Sequence, residues 1–385
     1  MISSSSCQPP QAMLTNPSWI ESREPKVALE EDPICIDVFH DFLQYFYTGT
    51  VDLNPGNALP ILMLAEKYLV KELMDAVYDY MSSNIVGASR LGHLTSWWTY
   101  LTLVKNTGLT DRLNAFLTSN FELISSSPDF FSVDADSLEE LCSRDSLVVM
   151  DEYSLFCAVS NWAQKQPDLN EQLVEKVFSP IRFPMMTPRQ LANLLLLPVV
   201  KEYKNFFVEK MVIAMGYHTN SQESLGAEDT ETLFRPRSYL SDRWSCCLVI
   251  ENYTTMPSYA SSQLLFTTDW SLRDSDSPQT KEWALEIFPK GIWFKPFSMI
   301  IWHGQLNIDE TIIKVCRIGL TARKVTEPFR ARVSLLFYSE FQEISYVFKT
   351  VSRICHFSFV TLFVGNMLRA AQKVELDSDN FKAEK

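Results

Sequence analysis

The pattern of hydrophobic and polar positions has a helical period in the first part of the chain and a period of two in the last part, with a polar stretch between them. From residue 38 to residue 80, apolar side chains recur every three or four positions, the period of a helix with one buried face. The first helix is predicted over 38–48, and its apolar face is formed by Val38, Phe39, Phe42, Leu43 and Phe46. Gly49 stands where a residue in the left-handed conformation would end this helix.

The residues after Gly49 predict a short strand and two further helices. The strand is expected over 50–53, and Asn57 is expected to cap the helix that follows. The apolar residues with helical spacing in these two helices are Ile61, Leu64, Ala65 and Tyr68 in the first and Leu73, Val77 and Tyr80 in the second. The segment is therefore predicted as helix, strand, helix, helix.

From residue 85 to residue 216 the helical period continues, and the region is predicted to be entirely helical. Within it, one helical face is formed by Leu155, Phe156, Val159, Trp162 and Ala163. Pairs of helices separated by short Pro or Ser turns indicate a stacked helical array. Trp162 is interpreted as a core anchor, because its helical neighbours are also apolar.

Beyond residue 232 the period changes to two. The preceding stretch, 219–232, is polar and acidic without a Lys or Arg, which predicts a solvated linker and a domain boundary. Past it, apolar residues alternate with their neighbours, as in the two sets Trp283, Leu285, Ile287 and Val333, Leu335, Phe337. Several such strands predict an antiparallel β-sandwich.

Composition and charge restrict the class of partner. A chain of 385 residues with 46% hydrophobic residues is expected to form two to three globular domains. The formal net charge of −13 argues against nucleic acid and acidic membrane surfaces as partners. The start of the chain lacks the basic and apolar pattern of a signal peptide, and the most apolar late run, 357–364, is far shorter than the roughly 20 residues of a membrane helix. That run is interpreted as a buried strand.

Motifs for catalysis or metal binding are missing from the sequence. The eight cysteines contain no C-x-x-C pair, and the five histidines show no H-E-x-x-H spacing. Adjacent Cys246 and Cys247 are expected on opposite faces of a strand. This pattern favours reduced thiols in the cytosol, with no metal or other cofactor and no enzymatic activity. A hydrolase that uses His303 or His356 is the alternative, without a supporting motif.

One stretch closely resembles the second half of a BTB/POZ domain. The resemblance is carried by Tyr47-Thr48-Gly49, then LAEKY at 64–68 and VKEL at 70–73. It implies self-association and docking to cullin-3. Residues 1–24 do not supply the strands and helix that open such a domain, although 11–14, 19–21 and 29–31 resemble the helix, loop and strand that close its first half. We therefore expect a partial BTB/POZ α/β module with an atypical N-terminus, whose self-association is impaired by truncation.

Two later stretches resemble the domains that follow BTB in many adaptors. Residues 138–164 and 178–194 resemble the helical BACK domain, and WALEIFPKG at 283–291 resembles a strand and turn of MATH (TRAF-like) domains. The chain is identified as a member of the BTB-BACK-TRAF-like adaptor family, with a multidomain α+β fold. The expected divisions are a partial BTB domain at 1–84, a BACK domain at 85–218, an acidic linker at 219–233, a sandwich at 234–372 and a polar tail at 373–385.

The resemblance implies a non-enzymatic adaptor, the substrate-recognition subunit of a cullin-3 RING ubiquitin ligase in the cytoplasm. An unknown protein substrate would bind the C-terminal sandwich. The cullin contact carried over from the family is Tyr47, supported by Leu29, Glu31, Asp41 and Gln44. The alternative is a secreted or matrix-associated binding protein built on the same modules, exported in longer isoforms.

Overall fold

The chain forms two compact units: Met1–Val149 with Ser154–Ile181, and Met150–Tyr153 with Arg182–Lys385. The computed structural model describes residues 2–3, 29–219, 232–250, 253, 255–257, 260–269, 280–290, 316–323, 329–331, 333–339, 343–349, 353–355 and 360–364.

The first unit is mainly helical. Its helices are α1 (Pro33–Ile36), α2 (Phe39–Thr48), α3 (Pro55–Lys67), α4 (Lys71–Ser83), α5 (Ile85–Leu91), α6 (Leu94–Val104), α7 (Thr107–Ser119), α8 (Phe121–Ser125), α9 (Ala135–Ser143), α10 (Glu152–Ala163, of which the first two residues belong to the second unit) and α11 (Glu171–Phe178). Strand β1 (Ile2–Ser3) pairs antiparallel with β2 (Thr50–Val51). A further two-residue strand, β3 (Val148–Val149), corrects the prediction that this region is entirely helical.

Helix α2 ends as the sequence predicts, but its buried face is rotated. Gly49 has a left-handed φ of 67°, and its N–H donates to the Tyr45 carbonyl at 2.8 Å. Leu43 is 43% exposed, whereas Tyr45 is only 1% exposed. The placement of Leu43 on the buried face is therefore wrong, because the face that packs is centred on Phe42 and Tyr45.

Helix α3 begins earlier than the sequence indicates. Its N-cap is Asn54, whose side chain accepts from the N–H groups of Gly56 and Asn57. The side chain of Asn57 accepts in return from the Asn54 N–H at 2.7 Å, which completes a capping box. The prediction of Asn57 as the cap was wrong, since Pro55 at the first helical position already fits the helix.

Trp162 is a core anchor, as predicted. Its side chain is 1% exposed, and its Nε1–H donates to the Val133 carbonyl at 2.9 Å. Phe156 and Phe178 pack in the same unit with their ring centroids 5.0 Å apart. The apolar faces predicted from the helical period thus form the interior of this unit.

The second unit combines helices and sheets. Its helices are α12 (Pro188–Leu194), α13 (Pro198–Glu202) and α14 (Lys204–His218). Phe207 of α14 lies 6.3 Å from the ring of Phe183, and Nε2 of His218 lies 2.7 Å from the Met186 carbonyl oxygen. The described part of the chain contains no helix with the length and hydropathy needed to cross a membrane.

The sheets of the second unit are antiparallel. Its strands are β4 (Ser238–Tyr239), β5 (Ser262–Asp269), β6 (Thr280–Phe288), β7 (Cys316–Arg323), β8 (Phe329–Ala331), β9 (Ser334–Tyr338), β10 (Ile344–Lys349), β11 (Arg353–Cys355) and β12 (Val360–Val364). One sheet has the order β12-β7-β6-β5, while β9 pairs with β10 and β8 with β11. Leu335 and Phe337 of β9 pack against a core of Ile287, Cys316 and Ile318. The predicted fold class, helices followed by antiparallel sheets, is confirmed.

The prediction that Cys246 and Cys247 lie in a strand is wrong, and several other predicted features lie outside the described residues. Cys246 and Cys247 do not lie in a strand, and both are exposed. Of the run 357–364, a strand is described at Val360–Val364. Residues 4–28, most of the acidic stretch (220–231), His303, His356 and the polar tail at 373–385 lie outside the described residues.

Candidate protein-interaction site

Helix α2 presents one side to solvent. This side, the outer face, consists of His40, Asp41, Leu43, Gln44 and Tyr47, all of which are exposed. Tyr47 is the most prominent of them, with 90% of its surface exposed. An aromatic side chain exposed to this degree is available to a partner, because it packs against little of its own chain.

The opposite side of α2 is fixed by aromatic packing. The ring of Phe42, which is 1% exposed, lies 5.1 Å from Phe46, 5.4 Å from Tyr68 and 6.1 Å from Phe39. Tyr68 stands at the end of α3, so this cluster sets the rotation of α2 against its neighbour. The outer face is therefore held in one orientation by the packing behind it.

The C-terminal end of α2 is fixed as well. The Thr48 hydroxyl lies 3.0 Å from the Gln44 carbonyl and 3.0 Å from the Thr50 carbonyl. It also accepts from the Thr50 N–H at 3.2 Å. These contacts tie the last turn of the helix, which carries Tyr47, to β2.

The five residues predicted for cullin binding divide into two groups. Asp41, Gln44 and Tyr47 lie together on the outer face, and Leu29 is 39% exposed. Glu31 is different, since its side chain is only 7% exposed.

The carboxylate of Glu31 is engaged inside the protein. It accepts from the Tyr68 hydroxyl at 2.5 Å and pairs with Lys67 Nζ at 3.0 Å. Burial, followed by the hydrogen bond to Glu31, raises the pKa of Tyr68, which keeps this hydroxyl a donor. Glu31 therefore fixes its segment to the end of α3.

Sequence reasoning missed three exposed apolar residues near this site. Leu43 lies on the outer face itself, and Ile34 and Ile36 of α1 are 51% and 61% exposed. Between them, Cys35 is buried. Alternation within a four-residue helix gives no periodic signal, so nothing in the sequence separates the exposed isoleucines from the buried cysteine.

Comparison with known domain families divides the chain into three matched regions. Residues 4–85 match the BTB/POZ domain, residues 96–196 match BACK (BTB And C-terminal Kelch), and residues 234–370 match the BTBD17 TRAF domain. The chain contains BTB, BACK and TRAF domains. This combination places it among proteins with a role in protein interaction, and the outer face lies in its BTB domain.

Curated relatives match about two thirds of this chain. BTB/POZ domain-containing protein 17 of Xenopus laevis is 31% identical over 271 residues, covering 69% of this chain and 56% of the relative. The Homo sapiens protein of that name is 26% identical over 275 residues (70% and 55%). Galectin-3-binding protein of Bos taurus is 29% identical over 272 residues (65% and 46%). The chain spans about half the length of the curated relatives it matches.

A cavity of about 520 Å³ lies between residues of the BTB and BACK domains in the first unit. Its lining consists of Glu31, Asp32, Cys35, Met63, Leu64, Glu66, Lys67 and Tyr100. Burial, with a further contribution from Asp32, raises the pKa of the Cys35 thiol to about 11. Cys35 is therefore protonated at neutral pH and packs as a small apolar group, without the thiolate that a nucleophile requires.

Polar groups around this cavity satisfy one another. Glu66 accepts from the hydroxyls of Tyr78 at 2.5 Å and Tyr100 at 2.6 Å. Among the described residues, no group of three His, Cys, Asp or Glu side chains is arranged to hold a metal ion.

Proposed function

We propose that this BTB-BACK-TRAF protein is a non-enzymatic adaptor for a cullin-3 RING ubiquitin ligase, and that the outer face of α2 contacts the cullin. The observation that carries the proposal is Tyr47, 90% exposed on a helix whose other side is fixed by Phe42. A BTB domain also supports self-association as part of this function.

The physical argument concerns the cost of binding. An aromatic side chain on a helix that is already fixed loses little backbone freedom when a partner covers it. Tyrosine contributes large apolar area and one hydroxyl, which explains its enrichment among residues that dominate interface energies. Leu43 extends the apolar area, while Asp41 and Gln44 supply a polar rim.

The test is a binding isotherm of the full chain with the N-terminal region of cullin-3. We expect Tyr47→Ala to weaken binding by about 1 to 3 kcal/mol, since a truncated interface aromatic forfeits its buried area. Leu29→Asp should also weaken binding. The matched control is Leu103→Ala, which removes a side chain that is 74% exposed on α6, and it should leave the isotherm unchanged. Equal affinities for wild type, Tyr47→Ala and Leu29→Asp would refute the assignment.

The second half of an adaptor's function is substrate binding, which we assign to the TRAF sandwich. Extended peptides bind sheets through main-chain hydrogen bonds and place alternate side chains in pockets. Affinity purification of the full chain should therefore recover partners that a version ending at Gly216 does not recover. Identical partner sets from the two versions would remove the sandwich from recognition.

Thiol chemistry supports a proposal for the compartment. Cys246 and Cys247 are adjacent, free and exposed, and such thiols persist where the cytosol keeps them reduced. We therefore propose a cytoplasmic location. Fractionation of cells, followed by alkylation of free thiols, should find both cysteines reduced in the cytosolic fraction.

A secreted or matrix-associated binding protein is the second candidate, favoured by the similarity to galectin-3-binding proteins. The name of those relatives records binding of galectin-3, so the same purified chain should be titrated with that protein. Galectin-3 binding together with recovery of the chain from culture medium, and no cullin-3 binding, would replace the adaptor proposal with this one.

A further inference from the structure

A wholly buried carboxylate in the second unit joins residues from the BACK and TRAF matches. Glu152, at the start of α10, is 0% exposed. Its Oε1 accepts from Arg237 Nε at 2.9 Å and from the Tyr239 hydroxyl at 2.9 Å, and its Oε2 accepts from the Arg182 backbone N–H at 3.1 Å. We call these four residues, Glu152, Arg182, Arg237 and Tyr239, the clasp.

The donors of the clasp are buried too. The side chain of Arg237 is 0% exposed, and Tyr239 is 8% exposed. The guanidinium of Arg182 donates to the Arg235 carbonyl at 2.5 Å, so the two sides of the clasp are joined a second time. Burial of an ion pair is costly unless charge and hydrogen bonds are both matched, and here both are.

Neighbouring contacts lie on either side of the clasp. The Ser241 N–H donates to the Met150 carbonyl at 3.0 Å, and the Gln190 side chain donates to Asp151 at 2.8 Å. Met150 and Glu152 therefore both bind the segment 237–241, while Asp151 binds Gln190. The residues that begin the TRAF match are held on BACK residues by side-chain and main-chain bonds together.

From these contacts we propose that the clasp fixes the start of the TRAF match to the BACK residues of the second unit, so that the two are joined by a buried ion pair as well as by the acidic stretch 219–233. The consequence of the clasp is a defined position for any partner that binds the sandwich. A partner bound to the sandwich is presented at a set place relative to the BACK residues of the second unit, and the acidic stretch does not determine that place.

The test cuts the acidic stretch in the full chain. A protease site is inserted between Gly226 and Ala227, the purified protein is cleaved, and the two fragments are followed by size-exclusion chromatography. The cleaved wild type is expected to elute as one complex. Separation of its fragments at micromolar concentration would overturn the proposal.

Variants then identify what holds the fragments together. Glu152→Gln removes one charge of the buried pair between Glu152 and Arg237, and should weaken association of the fragments by roughly 100-fold or more. Glu202→Gln makes the same chemical change at an exposed position on α13 and should have no effect. If Glu152→Gln fragments stay together as tightly as wild type, the clasp does not fix the junction.

A milder variant covers the case in which Glu152→Gln does not fold. Tyr239→Phe keeps the ring and removes only the hydroxyl that donates to Glu152. In the uncut chain, amide hydrogen exchange of residues 235–241 should become about tenfold faster or more, because a hydrogen bond to a charged acceptor is lost. Unchanged exchange in these amides would also overturn the proposal.

Discussion

The two units satisfy a carboxylate in different ways. In the first unit, the half-buried Glu66 accepts from two neutral donors, the hydroxyls of Tyr78 and Tyr100. In the second, the wholly buried Glu152 accepts from a guanidinium, a hydroxyl and a backbone N–H. Where water still reaches the group, neutral hydrogen bonds suffice, whereas full burial of a charge calls for a countercharge.

Glu66 and Glu152 also join different parts of the fold. The tyrosines around Glu66 come from helices α4 and α6 of the same unit, so the network supports local packing. Glu152 and Arg237 are 85 positions apart in the chain. Removal of the Glu66 carboxylate is therefore expected to destabilise the first unit, and removal of the Glu152 carboxylate the second. The two losses of unfolding free energy should differ in size.

The largest expected effect is that of Glu152→Gln on the second unit. Loss of one charge from the buried ion pair of Glu152 and Arg237 should lower the free energy of unfolding by about 3 to 5 kcal/mol. Hydrogen exchange measured across a urea series, with peptides of each unit followed separately, provides the measurement. A loss below about 1 kcal/mol, similar to that of an exposed surface position, would mean that Arg237 finds another partner.

Glu66→Gln should cost less, and in the first unit. The amide retains an acceptor for one tyrosine and leaves no buried charge unpaired, so we expect a loss of about 1 to 2 kcal/mol. The same exchange experiment reads it from peptides of α3, α4 and α6, with Glu72→Gln at an exposed position of α4 as the control. If Glu66→Gln costs as much as Glu152→Gln, burial is not what distinguishes the two carboxylates.

Alkaline pH should act on the network around Glu66. Burial and the hydrogen bond to Glu66 raise the pKa of Tyr78 to about 12, from its ordinary value of 10.0. Because the unfolded chain releases this proton first, stability from Tyr78 is fully present below pH 10 and is lost as pH rises toward 12. Unfolding of the first unit measured from pH 9 to pH 12 should show this decline, and Tyr78→Phe should reduce it. An identical decline in the variant would assign it to other groups.

The smallest expected effect on stability is that of Tyr47→Ala. A side chain that is 90% exposed contributes little to packing, so the free energy of unfolding should change by no more than about 0.5 kcal/mol. Urea unfolding of the variant, compared with Tyr45→Ala at a position 1% exposed, checks this. A large loss for Tyr47→Ala would show that the outer face is part of the fold and would undermine its reading as a binding surface.

The fold class could be predicted from the sequence because apolar periodicity is a local property. The period near 3.6 indicated α2, α3 and α4, and the period of two indicated β6 and β9, where Ile287 and Phe337 do face a common core. Gly49 as the end of α2 was also readable, since a left-handed position favours glycine.

The sequence could not decide which of two neighbouring asparagines caps α3. Asn54 and Asn57 are both good capping residues, and the choice of Asn54 depends on where the chain leaves β2. Asp41, Gln44 and Tyr47 were proposed for cullin contact from the family resemblance, and helix spacing places the three on one side of α2. The engagement of Glu31 by Tyr68 does not follow from such spacing, because the two residues are 37 positions apart.

By itself, the sequence determined the types of element, their order and the domain families, since each is encoded within a short run of residues. Only the tertiary structure decided that Leu43 faces solvent while Tyr45 is buried, because the rotation of α2 is set by contacts with Tyr68 on a later element. It alone also decided that Glu152 meets Arg237 and Tyr239. A pairing over such separations leaves no periodic trace in the sequence; it arises when folding brings a buried charge and its countercharge together.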